Sequence, residues 1–198
     1  IVATRWLQRR LRNGIATILD QLKLASITLP CSYGNHGRTT EKRRISTGYA
    51  NSFEWLMYHN LADAFEGDKR VRFEVTDSPH QYVQVYDKTL HFHHGDEVRS
   101  QGGIGGILVP LKKRVPAWDL IKKSHVHNVG HFHQLNFHGR LVTNGSLIGY
   151  NAYAQSIGAE PEQAQQAMYY IDSKRGKCMS SEIWVEESPT TSQGKKAA

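Results

Sequence analysis

The stretch Val129-Gly130-His131-Phe132-His133-Gln134 decides how this chain reads. Two histidines spaced by one residue point to the same side of an extended strand, because side chains alternate with a period of two. The glycine before them lets the backbone pass close to whatever they hold. Two earlier stretches share the design, an apolar run ending in His or Asn beside Gly: Gly34-Asn35-His36-Gly37-Arg38 and His93-His94-Gly95-Asp96. Such residues collect at strand ends, where loops rather than packing decide the chemistry. The three stretches read together as one metal centre.

The bulk of the chain allows this. At 198 residues it can bury a proper core, and one domain is expected over residues 1–185, followed by a disordered tail over 186–198. A hydrophobic content of 39% and a charged content of 22% describe an ordinary globular protein. The formal charge of +7 favours a polyanionic partner, DNA or RNA, although a solvated basic surface explains the same charge. Two cysteines, Cys31 and Cys178, are too few for a disulfide scaffold and suit the reducing cytoplasm. No apolar run is long enough to span a membrane. Histidine is the unusual residue: seven of the eleven fall in the two windows 91–94 and 125–133.

Apolar residues recur every three or four positions between Thr4 and Lys23, which predicts a helix with Arg5, Arg9, Arg10 and Arg12 mostly on its outer side. A short strand over residues 25–32 then delivers Gly34-Asn35-His36. Ile45, Tyr49, Phe53, Leu56 and Leu61 predict a second helix, capped at Thr39 or Thr40 and ended by Gly67. Residues 71–75, 81–86 and 88–93 alternate as strands. Gly102, Gly103, Gly105 and Gly106 read as a flexible loop without the lysine of a P-loop. The following helix should be short, interrupted at Pro110 and ended by Pro116. Residues 125–133 and 140–143 read as strands, and 168–171 with 179–185 as a hairpin.

Asn, His, His and His are borderline-to-hard ligands, suited to manganese, zinc, iron or nickel. A structural zinc site would normally use cysteines, which are not placed for it, so the centre looks catalytic with open positions. Two metals about 3.5–4 Å apart clamp a phosphate ester and generate hydroxide for in-line attack. A cupin, another fold with an H-x-H pair, wants a glutamate a few residues later, and residues 134–140 contain none.

Gly34-Asn35-His36, His94-Gly95-Asp96 and Gly130-His131-Phe132-His133 resemble, in order, the last three motifs of the calcineurin-like metallophosphoesterases: G-N-H-[DE], H-G and G-H-x-H. Asn144-Gly145-Ser146 resembles the N-P-G-S turn that often follows them. The style is that of the branch containing repair nucleases and small phage or bacterial phosphoesterases. The resemblance implies an α/β fold, a two-sheet β-sandwich flanked by helices, with two divalent metal ions in the complete enzyme. It implies that Asn35, His94 and His131 hold one metal and that His133 reaches the other. His36 would face the scissile phosphate as the catalytic residue. Arg38, the first of four cations over residues 38–44, would bind substrate.

Two departures accompany the resemblance. The family's D-x-H and G-D-x-x-[DN] motifs, whose carboxylates bridge both metals, have no match before Gly34, where Asp20 is the sole acid. The expectation is therefore an N-terminally incomplete domain, weakly active or inactive alone, with an upstream segment or second chain supplying the missing ligands. Gly37 also stands where the family has the acid that orients His36. The alternative expectation is a non-catalytic domain that binds nucleic acid or metal through a degraded site.

Overall fold

The computed structural model describes residues 1–99, 105–156 and 158–185. The expected tail over 186–198, and Gly102 and Gly103 of the expected glycine loop, lie outside the described residues. The expected mixed α/β architecture is present, with helices around several sheets.

Helix α1 (Val2–Gln21) buries Ile15 and Leu19, one turn apart, and packs them toward α2 (Phe53–Ala64). Its centre tolerates Asn13-Gly14 at a cost of about 1 kcal/mol. Helix α2 starts later than Ile45, because the cations at Lys42, Arg43 and Arg44 oppose the positive end of a helix dipole. The chain bends through residues 40–48, leaving Ile45 90% exposed, and forms a 3-10 turn over Tyr49–Asn51. Ser52 replaces the expected threonine as cap: its hydroxyl oxygen accepts the Trp55 N–H at 3.2 Å, and Glu54 then complements the dipole.

Strand β1 (Ile27–Cys31) pairs in parallel with β2 (Val71–Val75). Strands β3 (His80–Val85), β4 (Lys88–His93), β5 (Val126–Val129), β6 (Asn136–His138) and β7 (Leu141–Thr143) form a five-stranded sheet in the order β3-β4-β5-β7-β6. Within it β4, β5 and β7 run parallel, so their C-terminal ends open on one edge. Strands β8 (Gln165–Asp172) and β9 (Gly176–Trp184) form the expected hairpin, longer than its apolar residues indicate.

Alternation along the central strands sorts the side chains into two layers. On one face Val98, Ile107, Leu111, Trp118, Val129, Phe132 and Leu141 pack together under α3 (Leu108–Ile121). On the other, Leu90, Val126 and Val142 meet Phe92, Phe137, Ala167, Tyr169 and Ile171 beneath the β8–β9 hairpin. The turn Asn144-Gly145-Ser146 ties these layers: Asn144 Oδ1 accepts the Ala167 N–H at 2.8 Å. A Cβ on Gly145 would lie 2.6 Å from the Gln165 carbonyl oxygen, so the close approach requires glycine.

Helix α3 runs past both prolines, contrary to the short helix expected. Pro110 is its third residue, where the missing N–H has no intrahelical acceptor in any case. Pro116 lies inside, at a cost of about 3 kcal/mol. Burial of Leu111 (0% exposed) and Trp118 (2%) offsets it, each fully buried large side chain contributing about 1.5–3 kcal/mol.

A line of histidines runs through the α3 face. His80 Nδ1 lies 2.9 Å from His91 Nε2, His91 Nδ1 lies 2.9 Å from His127 Nδ1, and His127 Nε2 lies 3.3 Å from Asp119 Oδ1. Burial pushes the His91 imidazole down to about 3 and also lowers His127, whose neighbour Asp119 opposes the shift.

Candidate metal centre

Three loops leave the C-terminal ends of β1, β4 and β5 and converge. The first carries Gly34-Asn35-His36. The Gly34 N–H donates to Glu54 Oε2 at 2.6 Å, which fixes the loop against the first turn of α2. The second carries His94, whose Nε2 lies 2.9 Å from Asn35 Oδ1. The third carries His131, with its ring 5.2 Å from that of His94.

Strand β5 stops at Val129, so His131 and His133 do not lie on an extended strand as their spacing implies. Both adopt left-handed backbone, with φ of 70° and 56°. Such residues are uncommon outside glycine and are held there by their surroundings. The strand pattern fails because Phe132 turns inward, 4% exposed, to fill the core between the two histidines. Gly95, at φ 108°, completes the packing: a Cβ there would lie 2.7 Å from Val129 Cγ1 and 3.2 Å from the Gly130 carbonyl oxygen.

Four histidines, His36, His94, His131 and His133, act on one another's charge. Burial pushes His94 down to about 4; Asp96 opposes this, while His131, His36 and His133 reinforce it. Burial likewise lowers His131, with Asp96 opposing and His133 and His36 reinforcing. His133 is lowered by burial and by His36, its ring sits 5.1 Å from Tyr153, and its buried Nδ1 has no hydrogen-bond partner. Neutral imidazoles keep the lone pairs that a metal requires. His36 is exposed.

The remaining expected residue, Arg38, is fixed through its backbone by a bridge to Ser52. It lines a cleft with Tyr33, Gly34, Arg43, Arg44 and Asp96, so two of the three cations that fail to start α2 gather beside the centre. Glu54 occupies the space against Gly37, where a Cβ would collide with its side chain.

Sequence reasoning passed over a second group. His80, His93 and Glu97 place one ligand atom each within 4.8 Å of the others. His80 is the register partner of His93 across β3 and β4, a pairing that no local pattern announces. The H-x-H pair that lies on a strand, with both side chains on one face, is His91-Phe92-His93.

No protein-family model and no curated protein matches the sequence. Among solved structures, a single mutant of Vps29 from Entamoeba histolytica is similar at 12% identity and a TM-score of 0.42, covering 86% of this chain and 89% of that one. Wild-type Vps29 of the same organism, complexed with zinc, is similar at 11% identity and a TM-score of 0.39, covering 79% of this chain and 97% of that one. A predicted phosphoesterase from Streptococcus pneumoniae is similar at 10% identity and a TM-score of 0.32, covering 80% of this chain and 96% of that one. Among the described residues no helix is long and apolar enough to cross a membrane.

Proposed function

We propose that this chain is a metal-dependent phosphoesterase of the calcineurin-like type, acting on nucleic-acid phosphodiesters. The observation that carries the reading is the convergence of Asn35 Oδ1 and His94 Nε2 at 2.9 Å, beside His131 and beside a cleft lined by three arginines. The donor set fits a divalent ion such as manganese or zinc: imidazole nitrogens kept neutral by burial, one amide oxygen, and at His133 a buried nitrogen without a partner. Asn35, His94 and His131 would hold one ion and His133 a second. When bound, the ions polarise the phosphoryl group and make water acidic enough to attack it.

The protein's own groups do the rest. His36, exposed to solvent, would face the phosphate and stabilise charge as it develops there. Arg38 offers a planar fork for non-bridging oxygens, and Arg43 and Arg44 extend the positive field along a polyanion. Asp96 places a negative charge where it acts on both His94 and His131.

One observation favours a second reading, a domain that binds metal or nucleic acid without hydrolysis. Of the carboxylates, Asp96 is the one whose charge acts on both His94 and His131, and no acid before Gly34 matches the family's bridging positions. A partner segment or second chain would then complete the site.

Purified chain is titrated with Mn(II) by calorimetry and assayed against bis(p-nitrophenyl) phosphate and single-stranded DNA. Hydrolysis that requires Mn(II) and is abolished by His36→Ala supports the enzyme. Binding lost in His94→Ala and His131→Ala, with no hydrolysis, supports a half-site, completed in the enzyme by an upstream segment or second chain or retained by a binding domain. Supplying that segment separates the two. A folded chain that neither binds Mn(II) nor cleaves nor binds single-stranded DNA overturns both.

A further inference from the structure

We propose that His80, His93 and Glu97 form a second cation site, selective for zinc, on the α3 face of the five-stranded sheet. It goes beyond the centre at Asn35, His94 and His131 and uses none of those residues.

The strongest observation is His93. Its side chain is 0% exposed, yet neither ring nitrogen has a hydrogen-bond partner. Buried polar atoms are nearly always satisfied, and one left without a partner costs about 1–3 kcal/mol. A ligand on one nitrogen answers that cost. His93 Nε2 lies 3.6 Å from Glu97 Oε1, and His80 Nε2 lies 4.0 Å from the same oxygen. Ligands about 2.0–2.2 Å from a tetrahedral zinc are roughly 3.3–3.6 Å apart, so a small inward movement brings all three onto one ion.

The supports of these residues match what a zinc ligand needs. His80 and His93 stack with ring centres 4.5 Å apart and planes 21° apart, which places both beside Glu97. A turn of the partly exposed His80 ring brings the two in-plane lone pairs onto one ion. With the His80 Nε2 lone pair turned to the cation, its Nδ1–H donates to His91 Nε2 at 2.9 Å. The same polarity has His91 Nδ1–H donate to His127 Nδ1, leaving the His127 Nε2–H for Asp119 at 3.3 Å. Arg140, 3.2 Å from the same nitrogen, directs its own N–H groups to Asp119 and the Ser124 carbonyl. A ligating histidine whose other nitrogen is anchored through a chain ending on a carboxylate is the usual support of a metal site. Trp118 Nε1–H donates to Glu97 Oε1 at 3.1 Å and orients the carboxylate.

Two guanidiniums compete for Glu97. Arg43 lies 3.4 Å from Oε2 and Arg114 lies 3.6 Å from Oε1. Charge-assisted bonds at full strength are about 2.7–2.9 Å long, so both contacts are loose. The arginine side chains are 33% and 45% exposed and can swing into solvent. Two imidazoles and one carboxylate favour zinc over magnesium or calcium, which prefer oxygen alone. The fourth position is open.

The test uses the full chain carrying His94→Ala, which removes a ligand of the other centre, with zinc as the probe. Zinc is titrated by calorimetry and the thermal midpoint is read with and without it. The expected result is one bound zinc per chain and a raised midpoint, both weakened at least tenfold when Glu97→Gln or His80→Asn is added. Glu97→Gln keeps an acceptor for Trp118. His80→Asn is the second variant should the first fail to fold. No zinc binding by the folded His94→Ala chain overturns the proposal. So does binding left unchanged by both added substitutions.

Discussion

The Nε2 atom of His94 and the Oδ1 atom of Asn35 lie 2.9 Å apart across 59 residues of sequence. Without a cation the pair is a hydrogen bond, with the imidazole N–H donating to the amide oxygen. With a cation both atoms turn lone pairs to it, and the spacing suits two ligands of one ion. Gly34 makes this possible, because a Cβ there would lie 2.7–2.8 Å from three atoms of the His94 ring. Gly34→Ala should displace the ring, lowering Mn(II) affinity about 10–100-fold. Calorimetric titration measures this, and an unchanged circular dichroism spectrum separates it from unfolding.

Arg38 sits in the cationic cleft beside that pair. If it contacts one phosphate, Arg38→Ala should weaken single-stranded DNA binding at low salt. It should also reduce the slope of log affinity against log salt by about 0.7. Fluorescence anisotropy across a salt series gives the slope. An unchanged slope removes Arg38 from the substrate path.

His127 connects His91 on β4, Asp119 on α3 and Arg140 before β7, with Trp118 against its ring. Burial lowers its pKa below the usual 6.5, against the pull of Asp119. The unfolded chain therefore binds the proton first as pH falls, and stability decreases with acidification from about 6.5 downward. Asp119 is itself held below 3.8: burial opposes that, but the Ser124 N–H and Arg140 outweigh it, so a further loss begins near that value. Urea denaturation between pH 7.5 and 5 should show the first decline, with a shallower slope for His127→Gln.

Cys31 is 6% exposed, and burial with Glu74 nearby pushes its thiol up to about 12. It should resist alkylation in the native state, whereas the partly exposed Cys178 reacts. Iodoacetamide labelling read by mass spectrometry should find one modified cysteine in the folded chain and two in denaturant.

Leu111, with no exposed surface, packs with Trp118, Val129 and Leu141 under α3. Leu111→Ala should destabilise the chain by about 2–5 kcal/mol. The midpoint of urea denaturation measures it.

Helices α1 and α2 and strands β2 to β4 are legible because their residues repeat with local periods. The length of α3 is not, because two prolines argue against it and only burial of Leu111 and Trp118 on the sheet outweighs them. The three His/Asn-Gly loops are visible as short motifs. The backbone that presents His131 and His133 is hidden, because Phe132 takes the inward position by tertiary packing. His80 and His93 meet through strand register, which is fixed by the whole sheet rather than by either segment.

The left-handed backbone of His131 and His133 has a consequence for how the chain acquires its chemistry. Those conformations cost energy that only the finished core around Phe132 returns, and Asn35 and His94 come from distant segments. The binding geometry is therefore absent from the unfolded ensemble, and ligation belongs to the end of folding. An ion present at one hundred times its dissociation constant would stabilise the native state by about 2.7 kcal/mol. Metal supply would then set how long the molecule survives proteolysis, as well as whether it reacts.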